Sequence, residues 1–396
     1  MLRLADKSRC TGCAACKAVC PRNAISMRAD AEGFLYPHVD RSNCIGCGTC
    51  ARSCPSLVQA KPRRPIRVYA AMAKDDELRL ASSSGGIFSL LARDILAKGG
   101  IVFGAAFDHD DWHVYHRAID NEADLAELRG SKYVQSDIGE CYREARDFLM
   151  SGRQVLFSGT PCQVAALKKV LDVDKAVPTD RLLLVDVVCH AVPSPLVWRK
   201  YLERRLATVC NDRADGLRDI RRISFRRKDG GWKRYALSVE FSHDKSYLAV
   251  FDDDPFMRGF LAELYNRPSC HNCPCKSLGS GSDLTIADYW GVATRLPDMD
   301  DDKGTSLVMV NTERGGDAFS ALADKAIAKD SDFDHAVAGN SAIVEATAPH
   351  VNRGRFFRRV MNSDFDSLVD LMLRSSLQNR IHSSVVRVLR KLGILK

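Results

Sequence analysis

Eight cysteines in two equal runs carry the clearest chemistry in this sequence. Cys10, Cys13, Cys16 and Cys20 are followed by Pro21, and Cys44, Cys47, Cys50 and Cys54 by Pro55, giving a repeat of 34 residues. Thiolates spaced C-x2-C-x2-C-x3-C-P wrap a cubane 4Fe-4S cluster, and in paired runs the fourth cysteine of each ligates the other cluster. The expected ligand sets are Cys10, Cys13, Cys16 and Cys54 for one cluster, and Cys44, Cys47, Cys50 and Cys20 for its neighbour. Zinc sites use two C-x2-C halves and have no need of the third spaced cysteine or the proline. Disulfides belong to oxidising compartments, whereas the segment MLRLADKSRC reaches the first motif without the apolar core of a signal peptide. A cytoplasmic chain is expected.

Seven further cysteines lie outside the repeat. Cys162 and Cys189 each end a segment read as a buried strand, and Cys270 and Cys273 form a C-x2-C pair in a proline-flanked loop. Strand ends of one sheet share a rim, so these four can meet and hold a third cluster. The competing reading makes Cys162 and Cys189 small buried hydrophobes, as most isolated cysteines are. Cys275 is a substitute ligand, and Cys141 and Cys210 read as structural.

Three polar loops accompany these cysteines. Ser82, Ser83 and Ser84 with Gly85 and Gly86 precede an apolar helix, and glycines before a helix N-terminus let backbone amides approach a phosphate. A plain cap needs one serine, so this loop points to a pyrophosphate. SGTPC, 158–162, is a second such loop, in which Cys162 at the start of its helix is expected to ionise readily. In the third, Gly130, Ser131, Lys132, Tyr133 and Gln135, the lysine can neutralise a phosphate and the tyrosine can stack on a ring.

The chain has 396 residues, 45% hydrophobic and 27% charged, enough for two or three domains with a sizeable core. No apolar run approaches eighteen residues, so no transmembrane segment is expected. Residues 1–67 hold twelve Lys and Arg against four Asp and Glu, which is the whole net charge of +8. Part of that surplus offsets the negative charge of thiolate-bound clusters. The rest steers an acidic donor such as a small ferredoxin or flavodoxin. Nucleic acid is set aside, because neither aromatic interleaving nor a binding motif accompanies the arginines.

NAISM and GFLYPHVD, between the cysteine runs, read as paired strands, and KPRRPIR as a linker. From Tyr69 strands alternate with helices across glycine- and proline-rich turns, the pattern of a mixed α/β domain with ligands beyond its strand ends. RRISFRRKDGGWKRYALSVEF, 221–241, reads as a hairpin around Asp229-Gly230-Gly231, whose five arginines either bind an anion or, as is expected, form a solvated face. Beyond about 330 helices take over. The last, RIHSSVVRVLRKLGILK, is basic and amphipathic and is expected to pack on the body or on a partner subunit.

SSSGGIFSLLARDILAKGGIVFGAAFD, LRGSKYVQSD, VLFSGTPCQVAALK, VDVVCHAVPSPLVWRKYLE and RPSCHNCPCK with SDLTIADYWG occur in this order over roughly residues 66–310. Together they resemble the coenzyme F-420 hydrogenase/dehydrogenase beta-subunit family, here with a fused two-cluster ferredoxin domain. The resemblance implies FAD beside a 4Fe-4S cluster. Carried over, it puts Ser83, Ser84, Gly85, Gly86, Lys132, Tyr133, Gln135, Ser158, Gly159 and Thr160 around FAD, and makes Cys162, Cys189, Cys270 and Cys273 the third cluster's ligands. Ala191 stands where the family's VCHGVPSP has glycine, which is tolerable if that residue needs no left-handed conformation. His190 and Asp288 are the candidate proton donors. Their plainer readings are that His190 hydrogen-bonds its turn and that Asp288 fixes the Tyr289-Trp290 loop.

The implied fold is an α+β ferredoxin-like module over 1–60 and a linker over 61–68, then a mixed α/β flavin-binding body and a helical C-terminal tail. The body divides into an FAD-binding part, 69–148, and a third-cluster part, 149–325, and the tail is 326–396. The implied activity is that of an oxidoreductase between a ferredoxin-like one-electron carrier and an organic two-electron substrate, with deazaflavin among the candidates. The alternative is a non-catalytic electron-transfer subunit. Either form can be a homo-oligomer or part of a complex.

Overall fold

In the computed structural model, which describes residues 4–58, 61–210 and 216–374, each cysteine run closes into one short helical turn. These turns, Ala15–Ala18 and Thr49–Arg52, are entered through left-handed residues, Ala14 at φ 60° and Gly48 at φ 76°. Between them β1 (Ile25–Ala29) and β2 (Leu35–Val39) pair antiparallel, as the sequence suggests.

The body is built on eight strands. They are β3 (Arg67–Ala73), β4 (Ile101–Phe107), β5 (Val114–Ile119), β6 (Val155–Gly159), β7 (Leu182–Val187) and, after a separate sheet of β8 (Ile220–Arg227), β9 (Ala236–Phe241) and β10 (Ser246–Val250), β11 (Leu284–Asp288), β12 (Ser306–Val310) and β13 (Ala326–Ser331). The large sheet runs β13-β3-β12-β11-β7-β6-β4-β5. Its centre, β11, β7, β6 and β4, is parallel, and antiparallel pairs close both edges. Near-continuous apolar runs such as Leu182–Val187 suit this centre, where strands are covered on both faces. Four parallel strands also deliver their C-terminal ends to one rim.

Helix Ile87–Ala97 covers one face, with Leu90 and Leu91 against Leu156 and Val308. Helices Cys141–Met150 and Pro161–Leu171 cover the other, around Phe103, Phe157 and Leu167, and Ala14 and Ala15 of the cysteine-rich module join that same core. Polar contacts fasten the module further. Arg143 donates to the carbonyls of Ala18 (3.0 Å) and Lys17 (3.2 Å), and Arg353 forks onto Glu32 at 3.0 and 2.5 Å. Gly33 lies so close to Leu196 that a Cβ there would come within 2.5 Å of the leucine's.

The small sheet, in order β10-β9-β8, packs with helix Pro195–Cys210 in an aromatic core containing Trp198, Tyr201, Phe225 and Phe256. A register shift between Ser224 and Arg227 adds a residue to β8, so Phe225 and Arg226 are both buried. The expected solvated face holds for Arg221, Arg222 and Arg234 but not for Arg226.

One expected boundary differs from the structure. The segment expected to open a helical tail at 326 is β13, an edge strand on β3 whose side chains are mostly exposed, so it shows no apolar alternation. Helices Phe333–Gly339, Arg353–Phe357 and Phe365–Leu373 follow, and Phe356, Phe365, Leu368 and Met372 belong to the aromatic core. The basic segment 380–396 lies outside the described residues. The expected parts 69–148 and 149–325 share the large sheet, since β4 pairs with β6 across that point. Among the described residues no helix is long and apolar enough to cross a membrane.

Asp186 is buried in this sheet and accepts a hydrogen bond from Ser282 (3.0 Å). Burial outweighs such bonds and raises its carboxyl from 3.8 to about 6. The folded chain therefore binds this proton more tightly than the unfolded chain. The contribution is present in full below about pH 4 and is lost as pH rises through about 6. Asp186→Asn is expected to stabilise the protein at pH 7 by about 1–3 kcal/mol and to have little effect at pH 4. Thermal melts at both pH values check this, and an equal change at both would refute it.

Candidate functional site

The rim formed by β6, β7 and β11 opens on a cavity of about 430 Å³. At one end of it lie Cys162, Cys189, Cys270 and Cys273. Cys162 sits at the start of helix Pro161–Leu171, which is entered through a capping box between Thr160 and Gln163. Cys189 follows β7, and its carbonyl accepts from Lys276 Nζ at 2.8 Å. Cys270 and Cys273 flank the end of the turn Pro268–Asn272.

The four sulfurs are mutual neighbours. Burial, then Cys273 and Cys270, push the Cys162 thiol up to about 12, and Cys189 is raised by burial and by Cys270, Cys162 and Cys273. This corrects the expectation that Cys162 ionises readily. Its helix end and the Thr160 hydroxyl at 3.2 Å favour the thiolate, but desolvation outweighs them. Four half-buried thiols around one end of the cavity form a soft donor set, spaced too widely for a single zinc ion and suited to an iron–sulfur cluster, whose positive charge would reverse that balance. Cys275 is buried and does not line the cavity. Its hydrogen bond favours the Cys273 thiolate, and of the two only Cys273 faces the cavity.

The cysteine-rich module continues this series of sulfurs. Cys16 is raised by burial and by Cys13, Cys10 and Cys54 beside it, so the crossed set is brought together. Cys20, Cys44, Cys47 and Cys50 line a second hollow, with Cys44 and Cys47 exposed. Cys13 and Cys162 lie close enough for the charge of one to raise the other. Sulfur groups thus run from the surface, through the module, to the cavity.

Of the residues expected near a flavin, Ser83, Ser84, Gly86, Lys132, Tyr133, Gln135, Ser158, Gly159 and Thr160 line the cavity. Gly85 does not. Its amide bonds Ser306 Oγ (2.9 Å), and a Cβ there would strike the Ala71 carbonyl, so its smallness serves packing on β3 and β12. The serine hydroxyls hold the loop itself: Ser82 donates to Leu78 O, Ser83 accepts from Ser131, and Ser84 donates to Thr305 O. Helix Ile87–Ala97 starts at Gly86, φ 87°, with no side-chain cap, which leaves its first amides for a ligand.

Lys132 donates to the carbonyls of Arg129 (3.1 Å) and Gly130 (3.3 Å), and burial lowers it to about 8. Tyr133 is packed by Phe225 and Phe260, so much of its ring is already covered. Gln135 reaches the module, donating to Thr11 O (3.0 Å) and accepting from Arg267 (2.7 Å). Thr11 Oγ1, Ser269 Oγ and Arg226 Nε are buried without partners on residues that line the cavity, as a polar ligand site requires.

His190 and Asp288 both line the cavity, in unlike surroundings. His190 Nε2 lies 2.5 Å from Glu263 Oε1, poorly angled for a hydrogen bond and close enough for an ion pair. Burial opposes charge on Glu263, but the His190 contact and bonds from Thr347 and Asn266 keep its carboxyl below the usual range. Asp288 accepts from Arg226 (3.1 Å) and from the Trp232 indole (2.9 Å), while Trp232 stacks on Trp290 at 4.7 Å. Ala191 adopts no left-handed conformation, so alanine fits its turn.

Three wall or support residues escaped the sequence reading. Arg226 reaches the cavity through the bulge in β8. Lys228 holds the serine loop from behind, on the carbonyls of Arg79, Ser84 and Lys303. His116 is neutral, lowered to about 4 by burial, with Nε2 donating to Ser158 O and Nδ1 accepting from Ser136. No spacing motif marks any of them.

A 4Fe-4S dicluster domain model matches residues 9–58. Models of the coenzyme F420 hydrogenase/dehydrogenase beta subunit match over 68–141 for its N-terminal part and 152–335 for its C-terminal part. No curated protein matches the chain. A chain of the xenon-derivatised F420-reducing [NiFe] hydrogenase complex from Methanosarcina barkeri is 18% identical, covering 75% of this chain and 92% of that one with a TM-score of 0.49.

Arg226 is buried and its partner Asp288 is half-buried, so removing only the cation strands a carboxylate. Arg226→Met is expected to cost about 3–5 kcal/mol, and adding Asp288→Asn to recover much of it. A double-mutant cycle by denaturant titration measures this, and additive losses would show the pair uncoupled.

Proposed function

The chain belongs to the coenzyme F420 hydrogenase/dehydrogenase beta-subunit family and carries a 4Fe-4S dicluster domain, and from that premise we propose that it is an iron–sulfur flavoprotein oxidoreductase. It passes electrons between a one-electron carrier and an organic two-electron acceptor or donor. The observation carrying this reading is that Cys162, Cys189, Cys270 and Cys273 meet at a cavity whose other wall is an uncapped helix start, and that Cys162 adjoins Cys13.

In this reading the four cysteines hold a third 4Fe-4S cluster and the cavity holds FAD. The amides after Gly86 take the pyrophosphate, with Lys132 as counter-charge. FAD, when bound, exchanges two electrons with the organic partner and single electrons with the clusters. His190, with Nε2 2.5 Å from Glu263 Oε1, is the candidate proton donor beside the flavin. Asp288 is committed to Arg226 and Trp232, and serves to orient them. The buried aromatic wall and Arg226 exclude water from the site. Exposed Cys44 and Cys47, with Ile45 between them, present the outer cluster to an acidic ferredoxin or flavodoxin in the cytoplasm. The deazaflavin in the family's description is the first organic substrate to try. That description also concerns subunits, which favours a second reading as a relay inside a larger complex.

Anaerobically purified protein is expected to contain about twelve irons and one FAD per chain. Cys162→Ser is expected to remove about four irons and leave the dicluster intact. Iron, sulfide and flavin analysis checks both, and unchanged iron in the variant would reject the ligand assignment. Reduction of deazaflavin or another organic acceptor by the isolated chain with reduced ferredoxin supports the enzyme. Failure with every acceptor, with a catalytic subunit co-purifying, supports the relay.

A further inference from the structure

Four arginines are buried in the described chain, and three have an aspartate partner: Arg79 with Asp301, Arg205 with Asp366 and Arg226 with Asp288. Arg267 is the exception. Its Nε donates to Cys10 O (2.8 Å), one Nη to Gln135 Oε1 (2.7 Å) and the other to Leu35 O (2.8 Å), all neutral acceptors. Its faces meet the rings of Tyr36 at 4.4 Å and Phe34 at 5.3 Å. A fully buried guanidinium with neutral partners alone is costly unless negative charge lies close by.

The groups around Arg267 that can carry that charge are sulfurs. Its Nε is on the Cys10 carbonyl on the module side, and its own carbonyl accepts from the Cys270 amide (2.9 Å) on the cavity side, where Cys162 also lies. It therefore stands between the first and third sulfur groups, while the surface group of Cys20, Cys44, Cys47 and Cys50 is held by other elements. A cluster bound by four thiolates is anionic and gains a further negative charge on reduction. Net charge and nearby donors set its potential.

We propose that Arg267 is a positioning residue for electron transfer, the shared counter-charge of the two inner clusters. Resting on the third-cluster reading above, it favours the reduced state of both over that of the surface cluster. An electron entering at Cys44 and Cys47 is thereby drawn towards the cavity.

The test is an EPR-monitored redox titration of the full anaerobic chain, with iron counted in each sample. Arg267→Gln is expected to lower the reduced-to-oxidised ratio of both inner clusters about tenfold at a fixed potential, or about 59 mV for one electron, leaving the surface cluster unchanged. Arg267→Lys keeps the charge and is expected to stay near wild type. Inner potentials unmoved in Arg267→Gln, or all three moving together, would overturn the proposal. If Arg267→Gln fails to load iron, Gln135→Glu neutralises the guanidinium in place and is expected to give the same shift, and no shift there overturns it. Wild-type iron near eight would instead refute the third cluster, and the shared counter-charge with it.

Discussion

Gathering four half-buried thiols around one end of a cavity is the constraint on which this architecture depends. Thiolates repel one another and lose hydration when buried, so Cys162, Cys189 and Cys270 are all driven towards the neutral form where they stand. Such a grouping persists only where the surrounding fold over-determines it. Here a capping box, a lysine on the Cys189 carbonyl and a proline-initiated turn each fix one part. The parallel centre of the sheet brings these parts to one place, because β6 and β7 end on the same rim.

The same constraint explains the depth of the module's docking. Electron transfer between sulfur groups demands short separations, and a loosely tethered module could not keep Cys13 beside Cys162. Ala14 and Ala15 complete a core otherwise made by helices Cys141–Met150 and Pro161–Leu171, and arginines from three parts of the body reach module carbonyls or Glu32. Arg267 also immediately precedes the Pro268–Asn272 turn, so one residue couples module docking to the placement of Cys270.

Much of this was legible in the sequence because the informative signals were local. Cysteine spacing within each run, and the strand-to-helix turns at Ser158 and Cys189, depend on neighbours a few residues away. What escaped depended on distant partners. The β8 bulge that turns Arg226 inward is set by register with β9, and nothing in RRISFRR distinguishes the third base from the others. β13 exists only because β3, more than 250 residues earlier, offers it an edge. Gln135 lies in a loop that reads as ligand-binding, yet its amide is taken up by Thr11 and Arg267 from outside that segment. Gly85 and Gly86 look equivalent in sequence. One relieves contact with the sheet and the other opens a helix.

The module's attachment has a bearing on how the chain can be divided. The described residues of the stretch joining it to the body make few anchoring bonds, such as Arg63 to Ser277 and Ile66 to Val310, while the broad contacts lie on the folded surfaces themselves. Covalent continuity through that stretch is thus a minor part of what keeps the two together. A pair of polypeptides separated there retains the complementary faces needed to reassemble, and fusion chiefly fixes their stoichiometry at one to one.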